Sequence, residues 1–327
     1  MDSRINVAVG VIYNNEKDKV LIARRKQGQH LAGYWEFPGG KISFDEDIKS
    51  ALKRELSEEL GINVLQSEPL TVIQHDYSDK KVLLHVRIVN DWNGSPAGKE
   101  NQDIVWASIK ELDKYTFPEA NKNIIRFVSL PSVYLISQDI YKDHSNFIAI
   151  LQKCFKGGLK LFQLRLASRT DIEFEHLVRE IKQLADKYDT KFILNGSPAD
   201  IDVYDIDGIH LKSNEMLKYS KRPIDNRFLL GASCHSKQEL KHAITIDVDY
   251  VFISPVNKTI SHPSQPALGW KGFQQFCHLT SIPVYALGGM QPSDVKNAKL
   301  SGGHGIAMIS AIWNSDSPDA TIQLIKT

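Results

Sequence analysis

Eight short apolar runs, separated by stretches long enough for helices, dominate the second half of this 327-residue chain. They are Val133–Ile136, Leu159–Leu164, Lys191–Leu194, Gly208–Leu211, Phe228–Ala232, Tyr250–Ile253, Val284–Leu287 and Gly305–Ile309. Helix-like stretches such as Asp171–Lys187 and Pro292–Leu300 lie between most of them. A strand followed each time by a helix pairs parallel to the next strand, and eight such units close into a small (β/α)₈ TIM barrel; a doubly wound open sheet is the alternative. The first half reads differently. Val7–Tyr13, Lys19–Ala23 and Val82–Val89 are strand-like, the last with apolar residues at 82, 84, 86 and 88 set against His85 and Arg87, the period of a half-buried strand. Helices are expected at Glu46–Leu60 and Asn121–Ser129. The change of pattern at Leu130-Pro131 predicts two α/β domains, 1–129 and 132–327.

A formal net charge of +1 gives no general affinity for nucleic acid or a membrane surface, so an anionic ligand must be met by a local site. No apolar run approaches the ~20 residues of a membrane span. Met1-Asp2-Ser3-Arg4 leads straight into a strand without the pattern of a secretory signal, and a cytoplasmic protein is expected. Cys154, Cys234 and Cys277 are far apart and form no CxxC pair, which predicts buried free thiols rather than a zinc site or disulfide framework.

The chemistry concentrates at residues 40–62. Ser43 and Glu46 have capping-box spacing, so a helix is expected to start there, and Gly61 suits the left-handed position that ends it. Ile48, Leu52, Leu56 and Leu60 form its apolar stripe. At 3.6 residues per turn, Glu59 falls roughly 40° from the stripe's centre and Glu55 roughly 80° away, with Glu58 further round beside Arg54. Three carboxylates converging at the margin of a buried face repel one another unless a cation offsets them, and a hard divalent ion, typically Mg²⁺, is the natural partner. A solvated surface of Glu–Arg pairs would instead lie opposite the stripe.

The full pattern is Gly40, five residues, Glu46, seven residues, then Arg54-Glu55-Leu56-Ser57-Glu58-Glu59-Leu60-Gly61-Ile62. With common-residue frequencies of about 7%, a chance match is on the order of one in 10⁸ per start position. This is the Nudix box. With Ala23-Arg24-Arg25, Trp35-Glu36-Phe37-Pro38-Gly39-Gly40-Lys41, Gly98-Lys99-Glu100 and Phe117-Pro118-Glu119-Ala120-Asn121, the first domain resembles the MutT group of Nudix hydrolases. The resemblance implies an α/β/α sandwich that cleaves a nucleoside triphosphate, above all 8-oxo-dGTP, to monophosphate and pyrophosphate, a nucleotide-pool sanitation that avoids DNA damage. It implies Mg²⁺, with Mn²⁺ as a substitute, held by Glu55, Glu58, Glu59, Glu100 and the Gly39 carbonyl; Glu55, Glu58 and Glu100 are the expected catalytic carboxylates. Arg25 and Lys41 would contact phosphate, while Arg54 and Glu46 hold loop and helix in register. Phe37 would pack on the base and Asn121 would read it, since one amide offers donor and acceptor in a single plane. As a bare feature, Asn121 also reads as a helix cap. His85 and Arg87 stand where relatives are often aromatic, which predicts an altered base pocket.

The second domain resembles the thiamine-phosphate synthase and TenI family of barrels. The pieces are Leu161-Phe162-Gln163-Leu164-Arg165, Asp207-Gly208-Ile209-His210-Leu211, Gly231-Ala232-Ser233-Cys234-His235-Ser236, Tyr250-Val251-Phe252-Ile253-Ser254-Pro255-Val256, Ala286-Leu287-Gly288-Gly289-Met290 and Gly305-Ile306-Ala307-Met308-Ile309-Ser310. Most sit at strand C-termini, where such barrels build their sites. The resemblance implies a phosphate cradle at Gly288, Gly289 and Ser310, with Gln163, Arg165, Asn195, His235 and Thr259 around it and a thiazole or thiamine phosphate as ligand. The family's Gln-x-Arg-x-Lys ends here in Ala167, and its Asn-Asp-Arg becomes Asn195-Gly196-Ser197; Glu215 stands for a second aspartate, and Thr259 with Ser261 for a hydroxyl pair. Losing the first aspartate removes a Mg²⁺ ligand that a pyrophosphate leaving group needs. Three readings stay open for this domain: a phosphate-ligand binding module without catalysis, a tautomerase with His235 as acid/base, and a synthase. A bifunctional thiamine enzyme, its Nudix part cleaving thiamine pyrophosphates, is the alternative for the whole chain.

Overall fold

The computed structural model describes residues 4–28, 30–138, 143–166, 172–259 and 266–326. Its internal contacts divide the chain into two compact units, Met1–Ser129 and Leu130–Thr327.

In the first unit the elements run β1 (Ile5–Ile12), β2 (Lys19–Arg24), β3 (Trp35–Glu36), β4 (Gly39–Lys41), α1 (Ile48–Leu60), β5 (Asn63–Asp76), β6 (Lys81–Asn93), β7 (Ile104–Ser108), a 3₁₀ turn (Ile109–Lys114) and α2 (Asn121–Ser129). One sheet has the order β4-β1-β6-β5 and a smaller one the order β3-β2-β7. Leu52, Leu56 and Leu60 of α1 pack on Ala8, Ile12 and Val89 at one face of the larger sheet. On its other face Val9, Val11, Leu84 and Val86 meet Ile124 and Val128 of α2, Val20 and Ile22 of β2, and Phe37. This is the expected α/β/α layering.

Two expectations need correction. α1 begins at Ile48, not Glu46, because the Asp47 carboxylate accepts from the Lys49 and Ser50 N–H groups and so caps the helix itself. Glu46 still accepts from Ser43 N–H at 3.2 Å, but within the preceding loop. His85 and Arg87 do not stand on the sheet face of Phe37, the residue expected to pack on a base. His85 pairs with Ala8 and Arg87 with Gly10, whose missing Cβ would meet Leu52 and Leu56, so both side chains stand on the α1 face. There His85 pairs with Asn6 Oδ1 at 2.9 Å, and Arg87 donates to the Ser67 hydroxyl and carbonyl.

The second unit is a closed barrel of parallel strands in sequence order: β8 (Val133–Ile136), β9 (Leu161–Leu164), β10 (Lys191–Asn195), β11 (Gly208–Leu211), β12 (Leu229–Cys234), β13 (Tyr250–Ile253), β14 (Val284–Ala286) and β15 (Gly305–Met308). Helices α3 (His144–Lys156), α4 (Ile172–Lys187), α5 (Asp200–Val203), α6 (Ser213–Met216), α7 (Lys237–Thr245), α8 (Gly269–Cys277), α9 (Asp294–Leu300), α10 (Ser310–Trp313) and α11 (Pro318–Lys326) intervene and close the chain. Tyr134, Leu161, Ile193, Tyr250, Phe252 and Tyr285 form one cluster, with the Tyr134 and Tyr250 hydroxyls 2.8 Å apart and Tyr285 donating to the Pro131 carbonyl at 2.6 Å. All three cysteines are free and buried, which pushes their thiols up to about 12. Among the described residues, no helix is long and apolar enough to cross a membrane.

Candidate active site

Exposure along α1 follows the helical wheel: Leu56 and Leu60 are buried, Glu55 and Glu59 intermediate, and Glu58 exposed. Glu59 is held against the β4 segment. Its Oε2 accepts from Gly39 N–H at 3.1 Å, and its pKa is raised to about 8, first by burial and then by the neighbouring carboxylates of Glu36, Glu55 and Glu100. Gly39 has φ +145°, and a Cβ there would lie 2.1 Å from the Ala8 carbonyl, so glycine alone lets the loop press on β1. Next to it, a Cβ on Gly40 would fall 2.1 Å from Glu55 Oε2. The bare backbone of β4 therefore forms one wall of the carboxylate cluster.

Arg54 organises the other wall. Its guanidinium donates to Glu46 at 2.8 and 3.0 Å, to Glu55 at 2.8 Å, to Glu58 at 3.3 Å and to the Lys41 carbonyl at 3.1 Å. It fixes loop and helix in register as anticipated, and it also holds Glu55 and Glu58. Glu100 arrives on a loop clamped to the end of α1: Ala97 N–H donates to Leu60 O, Lys99 N–H to Glu59 O, and the Gln102 amide to Glu59 O at 2.8 Å. Lys26 pairs with the Glu100 carboxylate. Oxygen donors from Glu55, Glu58, Glu59 and Glu100 with the Gly39 carbonyl are the groups that could hold a hard divalent ion, although no three of these carboxylates have ligand atoms within 4.8 Å of one another as they stand, so side chains must turn inward to share one.

Arg25 is fastened from two sides, by an ion pair with Glu36 and by donation to the His30 carbonyl at 2.7 Å. Burial raises Glu36 above the usual carboxylate range, and Arg25 opposes that. Lys41 is exposed at the end of β4. Asn121 is 8% exposed, and its Oδ1 accepts from the backbone N–H of Phe37 at 3.3 Å. Its side chain thus crosses to the β3–β4 segment, away from the helix-cap role. Phe37 is buried and stacks on Phe117 at 5.9 Å between ring centres.

Two residues here escaped sequence reasoning. Glu36 lies outside the box yet heads the charges acting on Glu59. Tyr77 is hydrogen-bonded to the Ala120 backbone and feels the charges of Arg25 and Glu36. It stands edge-on to His30 and His75, with Lys80 over its ring at 5.6 Å. Only its aromatic type beside the turn preceding β6 could have hinted at it.

In the barrel the expected residues gather at strand C-termini. Gln163 is 2% exposed, with an Oε1 that meets no hydrogen-bond donor, and Asn195 is buried at the end of β10. Arg165 follows β9, its backbone N–H and carbonyl both bonded to the Ser137 hydroxyl at 2.8 Å. His210 was missed as a site residue. It is fully buried, bonds Ser233 Oγ at 2.8 Å, and is lowered to about 3 by burial and then by the Arg165 cation. His235 is exposed, its Nδ1 3.0 Å from the Ser254 carbonyl. Gly288 and Gly289, both at positive φ, approach Pro255 and the Lys258 carbonyl so closely that a Cβ would lie within 2.9 Å. Ser310 opens the short helix α10 after β15. Thr259 is half-buried; Ser261 and Ala167 lie outside the described residues. The Glu215 carboxylate is already taken up by Lys218 and by the Tyr219 hydroxyl at 3.1 Å.

Comparison with known proteins follows the same division. A NUDIX-domain family model matches residues 8–127, and one described as thiamine monophosphate synthase matches residues 133–312. An 8-oxo-dGTP diphosphatase from Haemophilus influenzae is 40% identical over 126 residues, 38% of this chain and 92% of its own length. A thiamine-phosphate synthase from Lysinibacillus sphaericus is 30% identical over 204 residues, 60% of this chain and 94% of its own. The solved thiamine phosphate pyrophosphorylase from Pyrococcus furiosus, 20% identical, superposes with a TM-score of 0.50 over 63% of this chain and 95% of that one, a likeness of fold. The chain is therefore a Nudix hydrolase that also belongs, through its C-terminal barrel, to the thiamine monophosphate synthase family.

Proposed function

We propose that the first unit hydrolyses an oxidised purine nucleoside triphosphate, with 8-oxo-dGTP the leading candidate, to the monophosphate and pyrophosphate in a Mg²⁺-dependent reaction that Mn²⁺ also supports. The observation that carries this reading is the cluster around Glu59. A carboxyl raised to about 8 by burial and by three neighbouring carboxylates marks a concentration of negative charge that a divalent cation would relieve. The donor set fits such an ion in kind, being all oxygen and set against bare glycine backbone. Glu55, Glu58, Glu59, Glu100 and the Gly39 carbonyl would hold it, and when bound it would neutralise phosphate oxygens and acidify water. Arg25, pre-positioned by Glu36, meets the phosphate chain. Water attacks the β-phosphorus and the bond to the α-phosphate oxygen breaks; Glu55, Glu58 and Glu100 supply the acceptors for the water's proton. Phe37 backs the base, and Asn121, its oxygen already oriented by Phe37 N–H, faces it with its amide.

The test is hydrolysis of 8-oxo-dGTP, dGTP and thiamine diphosphate by the full chain with Mg²⁺. The oxidised nucleotide should be strongly preferred, and Asn121→Ala should cut that preference by about 10–100-fold, the value of one bidentate base contact. Equal rates on the two guanine nucleotides would remove the substrate assignment, and preference for thiamine diphosphate would favour the thiamine-linked alternative. For the barrel we infer a phosphate-ligand module, supported by the bare backbone of Gly288 and Gly289 at positive φ after β14, whose N–H groups suit an anion, and by the occupied Glu215 carboxylate. Calorimetry against thiazole phosphate and thiamine phosphate, run beside synthase and tautomerase assays, separates binding from catalysis.

A further inference from the structure

In the helical layer of the barrel, at the first turn of α3 and along α4, three metal-ligating side chains meet across two helices. His144 opens α3, and His176 and Glu180 stand one turn apart on α4. His144 Nε2 lies 2.7 Å from Glu180 Oε2, and the two imidazole rings are 6.4 Å apart between centres. One ligand atom from each residue falls within 4.8 Å of the other two, the one group of its kind among the described residues.

We propose that His144, His176 and Glu180 form a site for a borderline transition-metal ion such as Zn²⁺, which ties α3 to α4. Two imidazoles and one carboxylate are a donor set of the zinc type, with a fourth position left to water. With metal–ligand distances near 2.1 Å, tetrahedral geometry places neighbouring ligand atoms about 3.4 Å apart. One edge is 2.7 Å and the other two are no longer than 4.8 Å, so closing the site asks each edge to change by about 1.4 Å at most. The scaffold is rigid. Phe147 and Leu151 of α3 and Leu177, Val178 and Ile181 of α4 are buried in a single core cluster, and Asp143 caps α3 by accepting from Asn146 N–H at 3.1 Å. An exposed His–Glu pair alone would be an ordinary surface contact worth little. The second histidine, one turn before Glu180 and facing the same point, is what such a contact does not require.

The test uses the full chain, stripped of metal and then saturated with Mg²⁺ so that the all-oxygen glutamate cluster is occupied, and titrated with Co²⁺. One equivalent should bind with the intense visible bands of four-coordinate cobalt. His176→Ala and Glu180→Gln, both at helix surface positions, should each weaken binding by about a hundredfold or more, because even partners that only support a metal ligand cost roughly 10–100-fold. His278→Ala, on a separate helix end, should leave it unchanged. Zn²⁺ should raise the barrel's unfolding temperature in the unmodified chain and not in the two variants, a readout independent of cobalt colour. Binding that survives both substitutions, or no cobalt bands at all, overturns the site.

Discussion

Burial and neighbouring charge raise the Glu59 carboxyl far from its ordinary range, and the consequence can be measured without substrate. In the folded metal-free state its pKa is about 8, against a reference value of 4.5, with burial the first cause and the charges of Glu36, Glu55 and Glu100 adding to it. Between those two values the folded protein holds a proton that the unfolded chain has released. Stability of the first unit therefore falls as pH rises from about 4.5 to about 8, on the order of a few kcal/mol across the window. Glu59→Gln keeps an oxygen for Gly39 N–H but cannot ionise. In urea titrations with chelator present, the variant should lose most of that slope and be the more stable protein at pH 8. Mg²⁺ should stabilise the unmodified protein at pH 8 and act weakly on the variant. Equal slopes with and without Glu59 would show that the charge crowding is not real.

At the scale of elements, the junction of β4 and α1 makes the site, and Gly40 offers a test of how closely it is built. No positive φ is needed there, so alanine is compatible with the backbone, but its Cβ would fall 2.1–2.5 Å from the Glu55 carboxylate. The carboxylate is the end of a flexible side chain and can move aside. Gly40→Ala should thus leave the unfolding free energy from urea titration within about 1 kcal/mol of the parent while lowering kcat of the proposed reaction on the order of a hundredfold, the cost of displacing a proposed catalytic group by about 1 Å. A large loss of stability would instead mean that Glu55 is locked. The helix itself was legible because its apolar period and its glutamate spacing are local. Its start was misplaced by two residues because Asp47 competes with Ser43 for the same capping role. The barrel strands were legible as apolar runs buried on both faces, whereas β5 was not. It is an edge strand with a largely exposed face, register shifts on both sides of Pro69, and little periodicity for a sequence reading to find. Residues assembled by tertiary contact stayed invisible for the same reason. Glu36 beside Glu59, Tyr77 beside Ala120 and His210 beside Arg165 have no spacing that announces them, and neither does His144 beside His176 and Glu180.

For the molecule as a whole, the two units carry opposite buried charges in waiting. The barrel encloses His210, lowered to about 3, and His304, lowered to about 4 by burial despite its bond to the Leu130 carbonyl at 2.8 Å. Both imidazoles are neutral in the folded state, whereas an unfolded histidine takes up a proton near pH 6.5. Below that value the unfolded barrel binds protons that the folded one refuses, so barrel stability falls as pH drops from about 6.5 towards 3–4, by a few kcal/mol for each group at the acid end. Glu59 acts in the other sense, since the metal-free first unit gains stability as pH falls from 8. Calorimetry of the full chain with chelator should therefore resolve two transitions that move apart between pH 7.5 and 5, the barrel's downward and the other upward. Addition of Mg²⁺ at pH 7.5 identifies the second by raising it. His304→Gln, which retains a donor for the Leu130 carbonyl but no titrating group, should flatten the barrel's decline. Transitions that shift in parallel, or a barrel decline unchanged by that substitution, would mean that the buried imidazoles do not set its response to acid.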